Sequence, residues 1–209
     1  MNKRIWDISP TIQVGIPVWP GDVAYSEATT FSLSEDCPVN VRSFTMSAHT
    51  GAHADAPFHY DNTGKKAAEM DLTRYLGRCQ VIDMRKVTHQ VVKDDFVGRV
   101  LNGTERVLIR CYEQAPQDSW DADFPSVHHR AIAYLASLGV KLIGLDTPSL
   151  DPQNSKTLDA HHEVRRHNMS ILEGLILDDV AEGSYELLAL PLKFASLDAS
   201  PVRAILREL

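Results

Sequence analysis

Apolar positions along the chain fall into short dense runs, separated by stretches in which they recur every three or four residues. The dense runs at residues 79–84, 106–111, 140–145 and 185–192 have strand length, so strands are expected there, and residues 41–46 read the same way. The wider spacing at 67–76, 93–101 and 127–138 predicts amphipathic helices. Gly139, directly after the last of these, is placed to cap it before the strand at Val140. Strands and helices alternating in this order make a mixed domain, α/β or α+β, and the periodicity is silent on the order of the sheet. No repeat, linker or low-complexity tract interrupts the pattern. Residues 1–209, of which 44% are apolar, are therefore expected to form one domain around one core.

Candidate chemistry concentrates in one segment. Residues 48–60 read A-H-T-G-A-H-A-D-A-P-F-H-Y, which puts His49, His53, Asp55 and His59 within eleven residues, around Gly51 and Pro57. Imidazole and carboxylate are ligands that zinc and similar divalent ions take, and no cysteine lies among them. On a flat strand His49 and His53 would stand roughly 13 Å apart, near the limit for sharing one ion. A helical turn would bring them to about 6 Å, but Gly51 and Pro57 both disfavour a helix. A tightly curled loop is expected instead, with Gly51 letting the backbone pass close to the ion and Ala48, Ala52, Ala54 and Ala56 keeping bulk away. Any one of these ligand candidates alone would read as part of a solvated loop; together, with small residues between them, they read as a metal site. Glu173 adds to this from far along the chain. It lies inside the apolar run I-L-E-G-L-I-L, residues 171–177, where an unpaired carboxylate is costly to bury and a bound cation would offset the cost. The competing reading puts Glu173 on the wet side of an amphipathic element.

Other signatures fail. His162-Glu163 followed by His167 places the second histidine one position too late for H-E-x-x-H. There is no G-x-S-x-G, no G-x-G-x-x-G and no P-loop, since Gly64-Lys65 lacks the upstream glycine. The pair His128-His129 belongs to the amphipathic stretch and is expected to face solvent. A formal charge of −7, with no basic cluster, argues against nucleic acid or an anionic surface as partner. Cys37, Cys79 and Cys111, an odd number without C-x-x-C, read as reduced thiols of a cytoplasmic protein. With no apolar N-terminal stretch and no run of 18 apolar residues, neither a signal peptide nor a membrane span is expected.

The metal segment resembles the cyclase-like metal hydrolases, and most closely their bacterial kynurenine formamidase members. Their pattern H-T-G-T-H-x-D-x-P-x-H is followed from His49 to His59, except that Ala52 replaces the usual threonine. The likeness continues in W-D-I-S-P (6–10), P-V-W-P-G-D (17–22), P-V-N-V (38–41), Y-L-G-R-C (75–79) and G-L-D-T-P-S-L-D-P (144–152). It extends through S-K-T-L-D-A-H (155–161), I-L-E-G-L (171–175) and L-P-L-K-F-A-S-L-D-A-S-P-V-R-A (190–204), so that nearly the whole chain takes part.

This resemblance implies the swivelling β/β/α fold, a homodimer and two divalent metal ions per chain, with zinc the expected metal. His49, His53 and Asp55 would hold the first ion and His161 the second, while Asp55 and Glu173 have the paired oxygens that bridging requires. The match to D-A-H selects His161 over His162, which is expected as an exposed helix residue. His59 is implied as a proton shuttle, its unperturbed pKa of about 6.5 suiting the task. The implied reaction is hydrolysis of a small molecule, N-formyl-kynurenine, to formate and kynurenine in tryptophan breakdown, with Trp19 against the substrate's aromatic ring. From the residues alone, Trp19 could equally pack on the core, and Asp146 could either orient a ligand histidine or cap the following turn. Two alternatives stand beside this reaction. One is a sister hydrolase opening isatin or another cyclic or aryl amide; the other is a metal-binding protein without catalysis, which would have no use for His59.

Overall fold

The computed structural model describes residues 3–209; Met1 and Asn2, included in the expected single domain, lie outside the described residues. The chain opens with β1 (Ile5–Asp7), the antiparallel pair β2 (Ser26–Phe31) and β3 (Val41–Thr45), and the short β4 (His53–Asp55). Next come β5 (Leu76–Asp83), β6 (Gln90–Val91), β7 (Arg106–Arg110), β8 (Ser126–Val127), α1 (His129–Ser137) and β9 (Leu142–Leu145). It ends with α2 (Asp159–Arg166), β10 (Ser170–Leu172), β11 (Gly183–Leu188), β12 (Ala199–Pro201) and β13 (Ile205–Arg207).

Seven of these strands form a mixed sheet in the order β1-β13-β11-β5-β7-β9-β10. From β5 to β10 the neighbours are parallel, and from β1 to β5 antiparallel. Side chains alternate across a strand, and a parallel sheet must be covered on both faces. Ile82, Ile109 and Ile143 accordingly pack with Ile132 and Leu135 of α1 and Val164 of α2. Val81, Leu108 and Leu142 point the other way, into a second core with Ile8, Ala54, Leu175 and Val202. Helices thus cover one face, while the layer containing the antiparallel pair β4–β12 covers the other, giving a mixed α/β fold. No helix among the described residues is long and apolar enough to cross a membrane.

The strands expected at 79–84, 106–111 and 140–145 are β5, β7 and β9; that at 185–192 is β11, which stops at Leu188 before Pro191, and that at 41–46 is β3. The helix expected at 127–138 is α1, preceded by β8. Gly139 ends it as foreseen: its φ is +91°, its N–H donates to Ala136 O at 3.0 Å, and Val140 N–H donates to Leu135 O at 3.1 Å, the paired bonds of a Schellman cap.

Two expected helices do not form. Residues 67–76 make two separate 3-10 turns, Ala67–Glu69 and Leu72–Tyr75, because the Asp71 carboxylate accepts from Thr73 N at 3.0 Å and starts the chain afresh. Residues 93–101 make the 3-10 turn Lys93–Asp95 and then irregular turns, because Gly98 at φ +75° breaks the run; Phe96 is buried while Val97 and Leu101 are exposed.

Candidate metal centre

The cavity opens just beyond the C-terminal ends of β7, β9 and β10, where Tyr112, Asp146 and Gly174 line it, as parallel sheets favour. Its volume is about 520 Å³. After β3 the chain turns at Ser47–Thr50, where Thr50 N–H donates to Ser47 O at 3.2 Å, and Gly51 at φ +67° leads it into β4. The expected curled loop is therefore present, and it brings the His49 and His53 rings to 4.9 Å. Within β4 the two-residue period sends His53 and Asp55 to one side and Ala54 into the core. Ala52, Ala54 and Ala56 are all buried, Ala52 and Ala54 packed in the core beneath the loop, so their small size serves packing there.

The far half of the site is fastened to this loop through the backbone. His53 N–H donates to Glu173 O at 3.1 Å and Glu173 N–H to His53 O at 3.0 Å. Gly174 permits the approach: a Cβ there would lie 2.5 Å from Gly51 O. Gly51 O also faces His53 Nδ1 at 2.9 Å, a contact that places the ring proton on that nitrogen and leaves Nε2 bare. His161 is set by Asp151. The carboxylate accepts from Ala160 N and His161 N, both at 3.1 Å, at the start of α2, and lies 2.7 Å from His161 Nδ1. His162, next along the helix, is exposed as expected.

Five side chains converge as a result. Asp55 Oδ1 stands 3.1 Å from His49 Nδ1 and 3.5 Å from His53 Nε2, and Asp55 Oδ2 stands 3.4 Å from His161 Nε2. The Glu173 oxygens lie 3.4 Å from His53 Nε2 and 3.6 Å from His161 Nε2. Four of the five are buried, at 2–3% exposure, and His49 is half-buried. Both Asp55 oxygens and His53 Nε2 are buried with no hydrogen-bond partner, although such groups are costly to leave unmade. Ligand atoms on a tetrahedral ion, with bonds of about 2.0–2.1 Å, stand about 3.3–3.4 Å apart. The orphaned atoms, the spacing and the thiolate-free donor set therefore fit a divalent metal.

Electrostatics agree with a cation-seeking cluster. Burial alone would lower His49 and His161, yet Asp198 and Asp55 push His49 up to about 10, and Asp151 and Asp55 do the same to His161. Asp55 has burial working against its charge, but the surrounding histidines hold its pKa well below the ordinary carboxylate value. His59 is outside the buried set. Its side chain is partly exposed, with Nδ1 3.2 Å from Asp198 Oδ2 and its ring 4.3 Å from that of His49.

Asp146 does neither of the things the sequence left open. It accepts from Cys111 N at 2.8 Å and Tyr112 N at 3.1 Å, pinning the end of the neighbouring strand. The carboxylate that orients a histidine is Asp151, unmarked in the sequence reading although it lies in the motif at 144–152. Asp198, inside the motif at 190–204, was likewise unmarked. Trp19 lines the cavity and packs edge-on to Trp120, centroids 5.3 Å apart, with Phe124 at 6.3 Å. Trp120 carries no sequence signal beyond being aromatic. His128 and His129 lie outside the cavity, half-buried at the start of α1 rather than facing solvent freely.

Solved structures share this architecture along its whole length. A potential metal-dependent hydrolase with cyclase activity superposes with a TM-score of 0.85 at 27% identity, over 99% of this chain and 98% of the other. A predicted metal-dependent hydrolase from Bacillus stearothermophilus gives 0.84 at 27%, covering all of both chains. Isatin hydrolase A from Labrenzia aggregata has the same fold, with a TM-score of 0.84 at 22% identity over 99% of this chain and 94% of that one. The sequence model of the Cyclase family, "Putative cyclase", matches residues 6–152, a stretch that holds the whole loop from His49 to His59. The chain belongs to the Cyclase family.

Proposed function

We propose that this chain is a metal-dependent hydrolase of aryl formamides that converts N-formyl-kynurenine to formate and kynurenine in tryptophan breakdown. The observation that carries the reading is the buried, partly unpartnered cluster of imidazoles and carboxylates beside an aromatic-walled cavity. His49, His53 and Asp55 would hold one ion and His161 a second, with Asp55 and Glu173 shared; zinc suits donors without thiolate. Two such ions, when bound, lower the pKa of water towards neutrality and polarise an amide carbonyl. The structural neighbours described as metal-dependent hydrolases support this reading.

His59, solvent-facing and beside the cluster, takes a proton from the attacking water and returns it to the departing nitrogen, which as an anion would be a very poor leaving group. Trp19, edge-on to Trp120 in the cavity wall, receives the aryl ring. The second reading, opening of isatin or a related cyclic amide, draws on the same walls, since a flat bicyclic ring would seat against them equally well. We also propose a cytoplasmic homodimer. The β2–β3 ribbon leaves Phe31, Val41 and Phe44 exposed, and a two-stranded ribbon is marginal in water unless something covers it.

Steady-state kinetics on metal-loaded protein test the substrate. N-formyl-kynurenine should be cleaved, with the matching acetyl anilide slower by tenfold or more, because one added methyl overpacks a site fitted to hydrogen. Efficient opening of isatin without cleavage of N-formyl-kynurenine would transfer the assignment to the second reading. Full activity in excess chelator would remove the metal from both.

A further inference from the structure

We infer that Asp198 is the positioning residue that holds His59 as proton carrier and ties it to His49; this rests on the hydrolase reading above. A single carboxylate oxygen, Asp198 Oδ2, lies 3.2 Å from His59 Nδ1 and 3.0 Å from His49 Nε2. His59 ends the one-turn 3-10 helix Pro57–His59, which has no buried residue; its ring packs beside those of His49, His161 and Tyr60, at 4.3, 6.0 and 6.2 Å, and Asp198 supplies its ring hydrogen bond. Asp198 is itself anchored. Its carbonyl accepts from Ala56 N at 2.9 Å, just before that turn, and the next residue begins β12, which pairs with β4. The carboxylate therefore stands on backbone joined to the metal loop on one side and to the His59 turn on the other.

A carboxylate on Nδ1 selects the tautomer with its proton there and leaves Nε2 as the acceptor. Nε2 takes one proton from the attacking water, the ring becomes imidazolium, and the same proton passes to the departing nitrogen, so the ring ends as it began. Asp198 accepts a hydrogen bond throughout and is not protonated.

The test compares Asp198→Asn, His59→Ala and the double variant, each metal-loaded, on an aryl formamide. Asp198→Asn should lower kcat by about 10- to 100-fold with KM and metal content nearly unchanged. Added to His59→Ala, it should cause no further loss. Ring 15N spectra supply a reading that needs no turnover: His59 should be protonated at Nδ1 in the parent and a mixture of tautomers in Asp198→Asn. Losses that multiply in the double variant, or identical tautomers in parent and variant, would overturn the assignment. So would metal loss in Asp198→Asn equal to that in His53→Ala. A parent that cleaves no formamide yet shows the expected ring signals would sink the substrate and leave the placement of His59 by Asp198 standing.

Discussion

At the scale of single residues, Asp146 carries a burden that Asp151 escapes. Burial pushes the Asp146 carboxyl up to about 7 even though it accepts two backbone N–H groups. The folded protein therefore holds a proton there that the unfolded chain, with an ordinary aspartate near about 3.9, has already released. Stability falls as pH rises between those two values, by up to about 1.4 kcal/mol per pH unit from this group, and levels off above them. In Asp146→Asn this contribution disappears. Denaturant unfolding of metal-free protein from pH 4 to 8 should show the gap between parent and variant changing up to about pH 7 and constant beyond it. Parallel curves would mean that Asp146 ionises normally. His49, His53 and Asp55 were legible because their side-chain types crowd one short segment, and Glu173 because it interrupts an apolar run, whereas His161 came from the family resemblance. Asp151 and Asp198 were not, because aspartate is common on any surface and their roles arise only when the fold brings distant segments together, Asp198 to a partner 139 residues away.

Among the elements, the parts read correctly are those in which a local signal and the tertiary environment agree. The strands β5, β7 and β9 are apolar because both faces of the central sheet are buried, and α1 has its cap written into Gly139. The helix α2 was invisible as a pattern: only Ala160 and Val164 of its aliphatic positions face the core, and its remaining buried side chains, His161 and Glu163, are polar. It starts from Leu158 in the left-handed region, at φ +48°, and depends on Asp151, outside the helix, to satisfy its first N–H groups. Two glycines separate local from long-range strain. Gly139→Ala meets open space, so only its φ opposes the change, and it should cost about 1–2 kcal/mol in denaturant unfolding with metal binding intact. Gly174→Ala adds a collision with Gly51 O to a φ of +65°. It should cost about 3 kcal/mol or more and weaken metal binding in calorimetric titration, because the His53–Glu173 contact must open. Equal penalties at the two sites would show that the loop yields without strain.

For the whole molecule, the ribbon β2–β3 raises the question of what covers it. Phe44→Glu places a charge on its most exposed aromatic position, 66% accessible, and should shift a dimer to monomer in sedimentation without unfolding the chain. A monomeric parent would refute the homodimer. The clasp of β4 between β12 and Glu173 bears on order in time. His49 to His59 are synthesised before His161, Glu173 and the strand at Ala199–Pro201, so the complete ligand set cannot exist until these distant contacts have closed. Such contacts form late in folding, since their loop entropy must be overcome first. Metal should accordingly leave the refolding rate unchanged and slow unfolding by tenfold or more, the signature of interactions absent from the transition state. Stopped-flow refolding with and without zinc checks this; acceleration by the ion would mean that the first loop captures metal before the rest of the chain has closed around it.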